Sequence, residues 1–358
     1  MMMLRISAAL PAIVRVLPMG NIRCSRFQTG HVQPVRELTT TIDNEQYYTL
    51  PVLFQTRTPG ERMTLDIGVW EVCPSTMTAS TPLVVAVHGV PGSSQDFDVI
   101  GRKLAGHGIR VVGLDFPGFG KSRLLGQDIY HLDHSTEGKY EMLTTILDTL
   151  DITRVDVLMG HSAGTWLNYK VAADSNLVKS SVFLNPLSKR YHRSLRPFVA
   201  VKLLAALLRT SFLHSTFLRC LPFIYKVLGF VLEEDAFPSL PIAVESVRYP
   251  NFDKMQAYAE TAAARKHPFV MAITRNDKIG EWNFGMEMAY HMGIEAGEIT
   301  EHKNDVAISG EDVGKYDDTV YRRVLLFERG GHLVHRAHEE EVIKHTLQLL
   351  RVVSGQKS

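Results

Sequence analysis

The chain has little cysteine, almost no net charge and no long uncharged apolar run. Its 358 residues include three cysteines, too few to hold a protein of this size together by disulfides, so a reducing compartment is permitted but not established. With 39 Lys and Arg against 38 Asp and Glu, the net charge of +1 gives no support for nucleic-acid binding. The most apolar stretch, residues 197–232, carries four Lys or Arg. A membrane span needs about 18–20 uncharged residues, so we predict no transmembrane segment.

Motifs for bound metal ions and organic cofactors are also missing. There is no H-E-x-x-H sequence, no Cys/His cluster and no Walker glycine loop, so we expect neither a metal ion nor a cofactor. What is present is an ordinary globular composition, with 45% hydrophobic and 22% charged residues, which excludes a disordered chain. The length indicates one large domain or a domain with a sizeable insertion.

The first 36 residues differ from the rest of the chain. They contain five Arg and no Lys, Asp or Glu, with apolar residues between the arginines. This pattern is typical of a mitochondrial transit peptide, whereas Arg15 interrupts the apolar stretch that a secretory signal would need. We therefore predict a targeting segment over residues 1–36 and a mitochondrial location. The alternative is a cytoplasmic protein with an accidentally basic tail.

Short apolar runs alternate with helix-length segments from about residue 81 to residue 350. Such runs, bounded by turn residues, predict buried strands in a mostly parallel sheet with helices on both faces, the α/β class. The six runs are PLVVAVHG, IRVVGLDF, VDVLMGHS, SSVFLNP, PFVMAIT and RRVLLFE. Upstream, the turn signal Thr58-Pro59-Gly60 between two further apolar runs predicts an antiparallel hairpin at the sheet edge.

The most informative motif is Gly-His-Ser-Ala-Gly at 160–164. It fits the G-x-S-x-G nucleophile elbow, in which a serine occupies a sharp turn between a strand and a helix. The glycines are needed because side chains at the flanking positions would collide in so tight a turn. The predicted strand before the motif and the predicted helix after it supply that context. We predict that Ser162 is a nucleophile; the alternative is a glycine-rich turn with an incidental serine.

An activated serine needs a base, and the base needs an acid to orient it. Asp277 follows one predicted strand, and His332 follows the last one behind a flexible Gly330-Gly331 pair. Loops at the carboxyl edge of a parallel sheet converge on one crevice, so these residues can meet Ser162. Competing histidines fall in a predicted helix, and competing acids fall in a polar insert. They are His335 and His338, and Asp305, Asp312, Asp317 and Asp318.

The oxyanion of an acyl-transfer reaction needs backbone N–H donors. We assign one donor to Ala163, the residue after the nucleophile. The second is assigned to Val90, in the turn that follows the strand ending at His88. His88 itself precedes that turn, and we interpret it as a residue that braces the loop rather than as a base.

These motifs together resemble the α/β-hydrolase superfamily over residues 47–350. The resemblance rests on HGVPGS at 88–93, DFPGFGKS at 115–122, GHSAG at 160–164, Asp277 and His332. The segments VHGVPGSSQDFDVI and NPLSKRYHRSLRP are most similar to a functionally uncharacterised branch with a serine nucleophile and a cap. The resemblance implies an α/β-hydrolase fold: a mainly parallel eight-stranded sheet with helices on both faces. It also implies a core of residues 47–186 and 268–350 and an inserted helical cap at 187–267.

Haloalkane dehalogenases and epoxide hydrolases of this superfamily have an aspartate nucleophile. Ser162 stands at that position here, which argues against both activities. We predict a serine hydrolase that cleaves an ester, thioester or related acyl bond through an acyl-enzyme. The apolar cap favours a small-molecule substrate with an apolar acyl or alkyl part. An acyltransferase, a carbon–carbon bond hydrolase and a non-catalytic ligand-binding protein remain alternatives, as does a cap that touches membranes. The sequence carries no signal for an oligomeric state.

Overall fold

The computed structural model describes residues 38–355, with the exception of 43, 125–127, 129, 175, 229, 231–233, 249–250, 304–305 and 310–319. The predicted targeting segment at 1–36 lies outside the described residues, so the predicted location stays a prediction. Three of the four competing acids lie in the undescribed segment 310–319, and the fourth, Asp305, is also undescribed.

The described residues form one sheet of eleven strands. The strands are β1 (Leu38–Ile42), β2 (Glu45–Gln55), β3 (Arg62–Val72), β4 (Leu83–Val87), β5 (Arg110–Leu114), β6 (Val155–His161), β7 (Val178–Leu184), β8 (Phe269–Thr274), β9 (Ile299–Lys303), β10 (Val306–Ser309) and β11 (Arg322–Phe327). Their spatial order is β1-β2-β3-β5-β4-β6-β7-β8-β11-β9-β10. The seven strands from β5 to β9 in this order run parallel, and the strands at both edges pair antiparallel.

All six predicted apolar runs are strands of the parallel centre, namely β4 to β8 and β11. The predicted hairpin is also confirmed, because β2 and β3 pair antiparallel around residues 56–61. The predicted sheet of eight strands corresponds to β2 to β8 and β11. The observed sheet has eleven strands, three more than predicted. β1, β9 and β10 extend the two edges, and they come from short polar segments whose hydrophobic pattern does not indicate strands.

Ten helices are described. They are α1 (Asp98–Gly106), α2 (Thr136–Thr149), α3 (Thr165–Asp174), α4 (Phe198–Arg209), α5 (Ser211–Val227), α6 (Leu240–Arg248), α7 (Phe252–Ala264), α8 (Trp282–His291), α9 (Val334–Ala337) and α10 (Glu339–Val353). Side chains of one strand alternate between the sheet faces. Val84 and Ala86 of β4 pack in the same cluster as α1 and α10, whereas Val85 and Val87 pack with α2 and α3. The sheet is therefore the middle of three layers, as predicted.

Helices α4, α5 and α6 lie in the insertion between β7 and β8, and they contact one another. This layer sits against the core: a Cβ on Gly118, in the loop after β5, would lie 2.3 Å from Ile242 of α6. Helix α7 packs against α3. The predicted cap limits of 187 and 267 stay a prediction. None of the described helices is both long enough and apolar enough to cross a bilayer.

Candidate active site

The predicted site residues follow four strands at one edge of the sheet. Ser162 follows β6, Asp277 lies three residues after β8 and His332 lies five residues after β11. His88 follows β4. Because these strands are parallel neighbours, their carboxyl ends meet at the same edge and direct the loops into one crevice.

Ser162 occupies the strained turn that the motif predicts. Its φ is +51°, in the left-handed region where a non-glycine residue costs about 1–3 kcal/mol. The turn is tight on both sides. A Cβ on Gly164 would lie 2.6 Å from the carbonyl oxygen of Val87, and one on Gly160 would lie 2.5 Å from Asn168 Oδ1. Only glycine fits at these two positions, so the motif is explained by the geometry of this turn.

The three predicted triad side chains form one hydrogen-bonded chain. Ser162 Oγ lies 2.9 Å from His332 Nε2, and His332 Nδ1 lies 2.8 Å from Asp277 Oδ2. A carboxylate only accepts, so Nδ1 carries the proton and donates it to Asp277, and Nε2 accepts from the serine hydroxyl. The His332 side chain is 17% exposed and that of Asp277 is 4% exposed, and Ser162 is also buried, so the base is the most exposed of the three residues.

The second oxygen of Asp277 is held by its own loop. Asp277 Oδ1 accepts hydrogen bonds from the backbone N–H groups of Ile279, at 2.7 Å, and Gly280, at 3.3 Å. Both donors are fixed parts of the backbone, so they orient the other carboxylate oxygen toward His332.

Asn185 and Thr274 hold the loop that carries His332. Asn185 Nδ2 donates to the carbonyl oxygens of Gly331 and His332, each at 2.8 Å. Asn185 Oδ1 accepts from the backbone N–H of Thr274 at 2.8 Å, and Thr274 Oγ1 donates to Gly331 O at 2.5 Å. The sequence motifs assign no role to Asn185. Its place directly after β7 was the signal that it faces the same crevice.

A second histidine, His161, supports the backbone of the loop that carries His332. His161 Nε2–H donates to the backbone carbonyl oxygen of His332 at 3.0 Å, and the two rings lie 4.8 Å apart. Burial holds the pKa of His161 well below its usual value of 6.5, and the neighbouring His332 and His335 lower that pKa further. His161 is therefore a neutral donor at physiological pH and places no fixed positive charge beside the triad.

The competing histidines have other partners. His335 Nε2–H donates to Asp96 O at 2.9 Å, and its ring stacks on Phe97. His338 Nε2–H donates to Arg329 O at 2.6 Å. His88 braces its loop as predicted, because its Nδ1–H donates to Gly89 O while its Nε2 accepts from the N–H of Phe116.

The two residues predicted to supply oxyanion donors reach the site from different parts of the chain: Ala163 directly follows Ser162, and Val90 lies in the loop after β4. Ala163 is the second residue of the turn of 3₁₀ helix at Ser162–Gly164, where N–H groups have no partner within the helix. Gly89 comes so close that a Cβ on it would lie 3.0 Å from that of Ser162. The next residue, Val90, is half-buried and packs against the cluster that contains Ala163.

An apolar cluster adjoins the nucleophile turn. Ala163 belongs to this buried cluster, and seven half-buried side chains pack against it. Four of them are Val90 from the core and Phe198, Val201 and Val247 from α4 and α6. The cluster therefore connects the residue after the nucleophile with the inserted helices. Among the described residues, no group of three or more His, Cys, Asp or Glu side chains is arranged to hold a metal ion.

The sequence matches one protein family over most of its length. Residues 48–350 match the family described as alpha/beta hydrolase of unknown function (DUF1057). A protein of Mycobacterium phage D29, named as a non-heme haloperoxidase, is 31% identical over 119 residues. That match spans 33% of this chain and 40% of the phage protein, so less than half of that relative is covered.

Solved structures share the fold at low sequence identity. An esterase from Thermogutta terrifontis matches with a TM-score of 0.55 and 16% identity, over 85% of this chain and 99% of the esterase. Haloalkane dehalogenase DbeA from Bradyrhizobium elkani matches with a TM-score of 0.58 and 16% identity, over 87% and 100% of the two chains. A lipase from Acinetobacter baumannii matches with a TM-score of 0.56 and 15% identity, over 86% and 93%. These likenesses show the fold alone.

Proposed function

Because the chain belongs to this α/β-hydrolase family, and is an enzyme of the hydrolase type, we propose that it is a serine hydrolase acting on an acyl bond. The observation that carries the proposal is the unbroken hydrogen-bonded chain from Asp277 through His332 to Ser162. Three residues more than 50 positions apart in sequence meet in the order and orientation that nucleophilic catalysis by serine requires.

The first half of the reaction acylates Ser162. Its Oγ attacks the substrate carbonyl carbon while its proton passes to His332 Nε2, and Asp277 stabilises the imidazolium through Nδ1–H. The carbonyl oxygen becomes an oxyanion that accepts from the N–H groups of Ala163 and Val90. The tetrahedral intermediate collapses, the bond to the leaving group breaks, and the leaving oxygen or sulfur takes the proton from His332.

The second half releases the acyl group. A water molecule gives a proton to His332 Nε2 and attacks the acyl carbon, and the same N–H groups hold the second oxyanion. Collapse breaks the bond to Ser162 Oγ, which recovers its proton from His332. The free acid leaves and the enzyme returns to its starting state.

The apolar surroundings of Ala163 support a substrate with an apolar acyl or alkyl part. Phe198, Val201 and Val247 come from the inserted helices and pack on the cluster that contains Ala163. Each methylene that enters such surroundings is favoured by about 0.8 kcal/mol, so kcat/KM should rise along a series of p-nitrophenyl esters of increasing chain length. A fall along that series, with the shortest ester best, would contradict the apolar assignment.

A fluorophosphonate probe tests the nucleophile directly. We expect the purified protein to be labelled and Ser162→Ala to be unlabelled. Ser80→Ala is the matched control, because Ser80 is exposed and bonds only within its own turn; this variant should label normally. Equal labelling of the Ser162→Ala variant, or no labelling of the wild type, would contradict the proposal. Product analysis with an added alcohol then separates the two acyl-enzyme outcomes, since an acyltransferase forms the new ester and a hydrolase forms the free acid.

A further inference from the structure

Helices α4 and α5 expose large apolar side chains to solvent. Val199 is 71% exposed and Leu203 is 59% exposed on α4, and Phe223 and Val227 are each 69% exposed on α5. Scattered single hydrophobic residues are normal on a protein surface, but a group of this size marks an interaction site.

The exposed residues form stripes rather than a scatter. Val199 and Leu203 are four residues apart on α4, and so are Phe223 and Val227 on α5, so each pair lies on one helix face. The opposite faces are occupied: Ala205 and Leu208 of α4, and Leu221 and Tyr225 of α5, are buried in the core. The two helices contact each other and bury these residues in the same core cluster, so their exposed faces both point away from that cluster.

The only charges on these faces are positive. Lys202, Arg219 and Lys226 are exposed, and none forms an ion pair with a described residue. Arg209 of α4 is different, because it forms an ion pair with the buried Glu245 of α6. The sequence contains no Asp or Glu from residue 198 to residue 232. We call the four exposed apolar and three exposed basic side chains the cap surface.

We propose that the cap surface binds the face of an anionic phospholipid membrane. Its apolar side chains enter the boundary between the headgroups and the acyl chains, and its ammonium and guanidinium groups contact lipid phosphates. Lysine and arginine suit this position because their long stems lie along apolar surface while the charge stays in the headgroup layer. The membrane occupies the exposed side of α4, and two other side chains of this helix, Phe198 and Val201, pack on the buried cluster that includes Ala163.

The charge pattern favours lipid over a second copy of the chain. A symmetric dimer through this surface would bring two sets of three unpaired cations together, and like charges across an interface oppose association. An anionic bilayer offers many phosphates to all three cations at once. The binding does not depend on catalysis, so Ser162→Ala should bind as the wild type does.

Co-sedimentation of the full chain with vesicles tests the proposal. We expect binding to vesicles of phosphatidylcholine with phosphatidylglycerol, weak binding to phosphatidylcholine alone, and release by added salt. Lys202→Gln, Arg219→Gln and Lys226→Gln should each weaken binding about fivefold, and the triple variant about 100-fold. Phe223→Ser should weaken it by about tenfold or more.

Two matched controls lie away from the cap surface. Tyr290→Ser removes an aromatic side chain that is 58% exposed on α8, and Arg351→Gln removes an exposed cation on α10. Both should bind like the wild type. Equal losses in these controls, equal binding to neutral and anionic vesicles, or no sedimentation would each overturn the proposal. So would a dimer, seen by light scattering, that Phe223→Ser dissociates. If Phe223→Ser does not fold, the triple Gln variant decides, because it changes only exposed charges.

Discussion

The catalytic edge of the sheet and the cap surface are built in opposite ways. At the edge, each triad residue is held by fixed partners: Asp277 by two backbone N–H groups and His332 by Asp277, Ser162 and the residues behind its loop. On the cap surface, Phe223 and Val227 are more than two-thirds exposed and touch little. The fold fixes the positions of the catalytic side chains, whereas it leaves the side chains of the cap surface exposed and with few contacts.

This contrast predicts where a substitution has its effect. Changes at the edge should alter the rate of the chemical step, because that step depends on positions that several hydrogen bonds fix together. Changes on the cap surface should alter encounter with a partner and leave the chemistry and the fold almost unchanged. The following four predictions test that division, beginning with the largest effect.

Asp277→Asn should produce the largest loss among these variants. The amide cannot accept from Nδ1–H with the strength of a carboxylate, and it can donate to Nδ1 and so select the wrong imidazole tautomer. We expect kcat for a p-nitrophenyl ester to fall by about 10⁴-fold with a much smaller change in KM. Steady-state kinetics measure this split.

The matched control is Asp66→Asn, at an exposed position on β3. It should retain wild-type kinetics. A loss of less than tenfold in Asp277→Asn, with the folded state intact by circular dichroism, would show that Asp277 does not orient the base.

Much of this site could be predicted from the sequence because each triad residue follows a recognisable strand. The strand runs are apolar on both faces, and parallel order fixes their ends at one edge, so Asp277 and His332 could be placed near Ser162 without coordinates. The residues that position the triad could not be placed in this way. Asn185 acts through backbone carbonyl oxygens 146 and 147 residues away, and no local pattern reports such a contact.

Asn185→Ala should have the second-largest effect. It removes the donor to Gly331 and His332 and leaves the N–H of Thr274 without its acceptor. A freed catalytic loop should lower kcat by about 10- to 100-fold, because misplacement by about 1 Å can cost that much. The unfolding free energy should fall by about 1–3 kcal/mol, which denaturant titration measures.

Asn283→Ala, at an exposed position on α8, is the control for this change and should match the wild type in both measurements. An unchanged kcat in Asn185→Ala would mean that Asp277 and Ser162 position His332 without the hydrogen bonds from Asn185.

The third prediction concerns His335, whose burial lowers its pKa from 6.5 to about 4. Its folded pKa lies below its unfolded pKa, so its full contribution to stability is present above pH 6.5. That contribution is lost as the pH falls toward 4, by about 1.4 kcal/mol per pH unit, because the unfolded chain binds the proton first. His335→Gln should lower the acid slope of the unfolding free energy between pH 6.5 and 4 by this amount, while the other buried histidines, such as His161, keep their own contributions.

The exposed His107 supplies the comparison, since His107→Gln should leave the acid slope as it is in the wild type. An identical slope in both variants and the wild type would show that His335 is not neutral in the folded protein.

The edge strands show the second limit of the sequence. β1, β9 and β10 are four or five residues long and contain polar residues, so their alternation is too short to stand out. These segments form strands because the strand next to each of them offers backbone N–H and C=O groups for pairing. An inserted helical cap was expected at 187–267, but the faces of α4 and α5 that remain uncovered depend on where α6 lies, which is a property of the tertiary structure.

The smallest expected effect completes the comparison. Phe223→Ser should change kcat/KM for a water-soluble ester by less than about twofold and the unfolding free energy by less than about 0.5 kcal/mol, because its side chain loses few contacts. Activity on the same ester presented in anionic vesicles should fall in proportion to the lost vesicle binding. A fall in both assays would place Phe223 in the path of the substrate instead. In that case the exposed face of α5 would contribute to substrate access as well as to vesicle binding, and the two regions would not be separate at this helix.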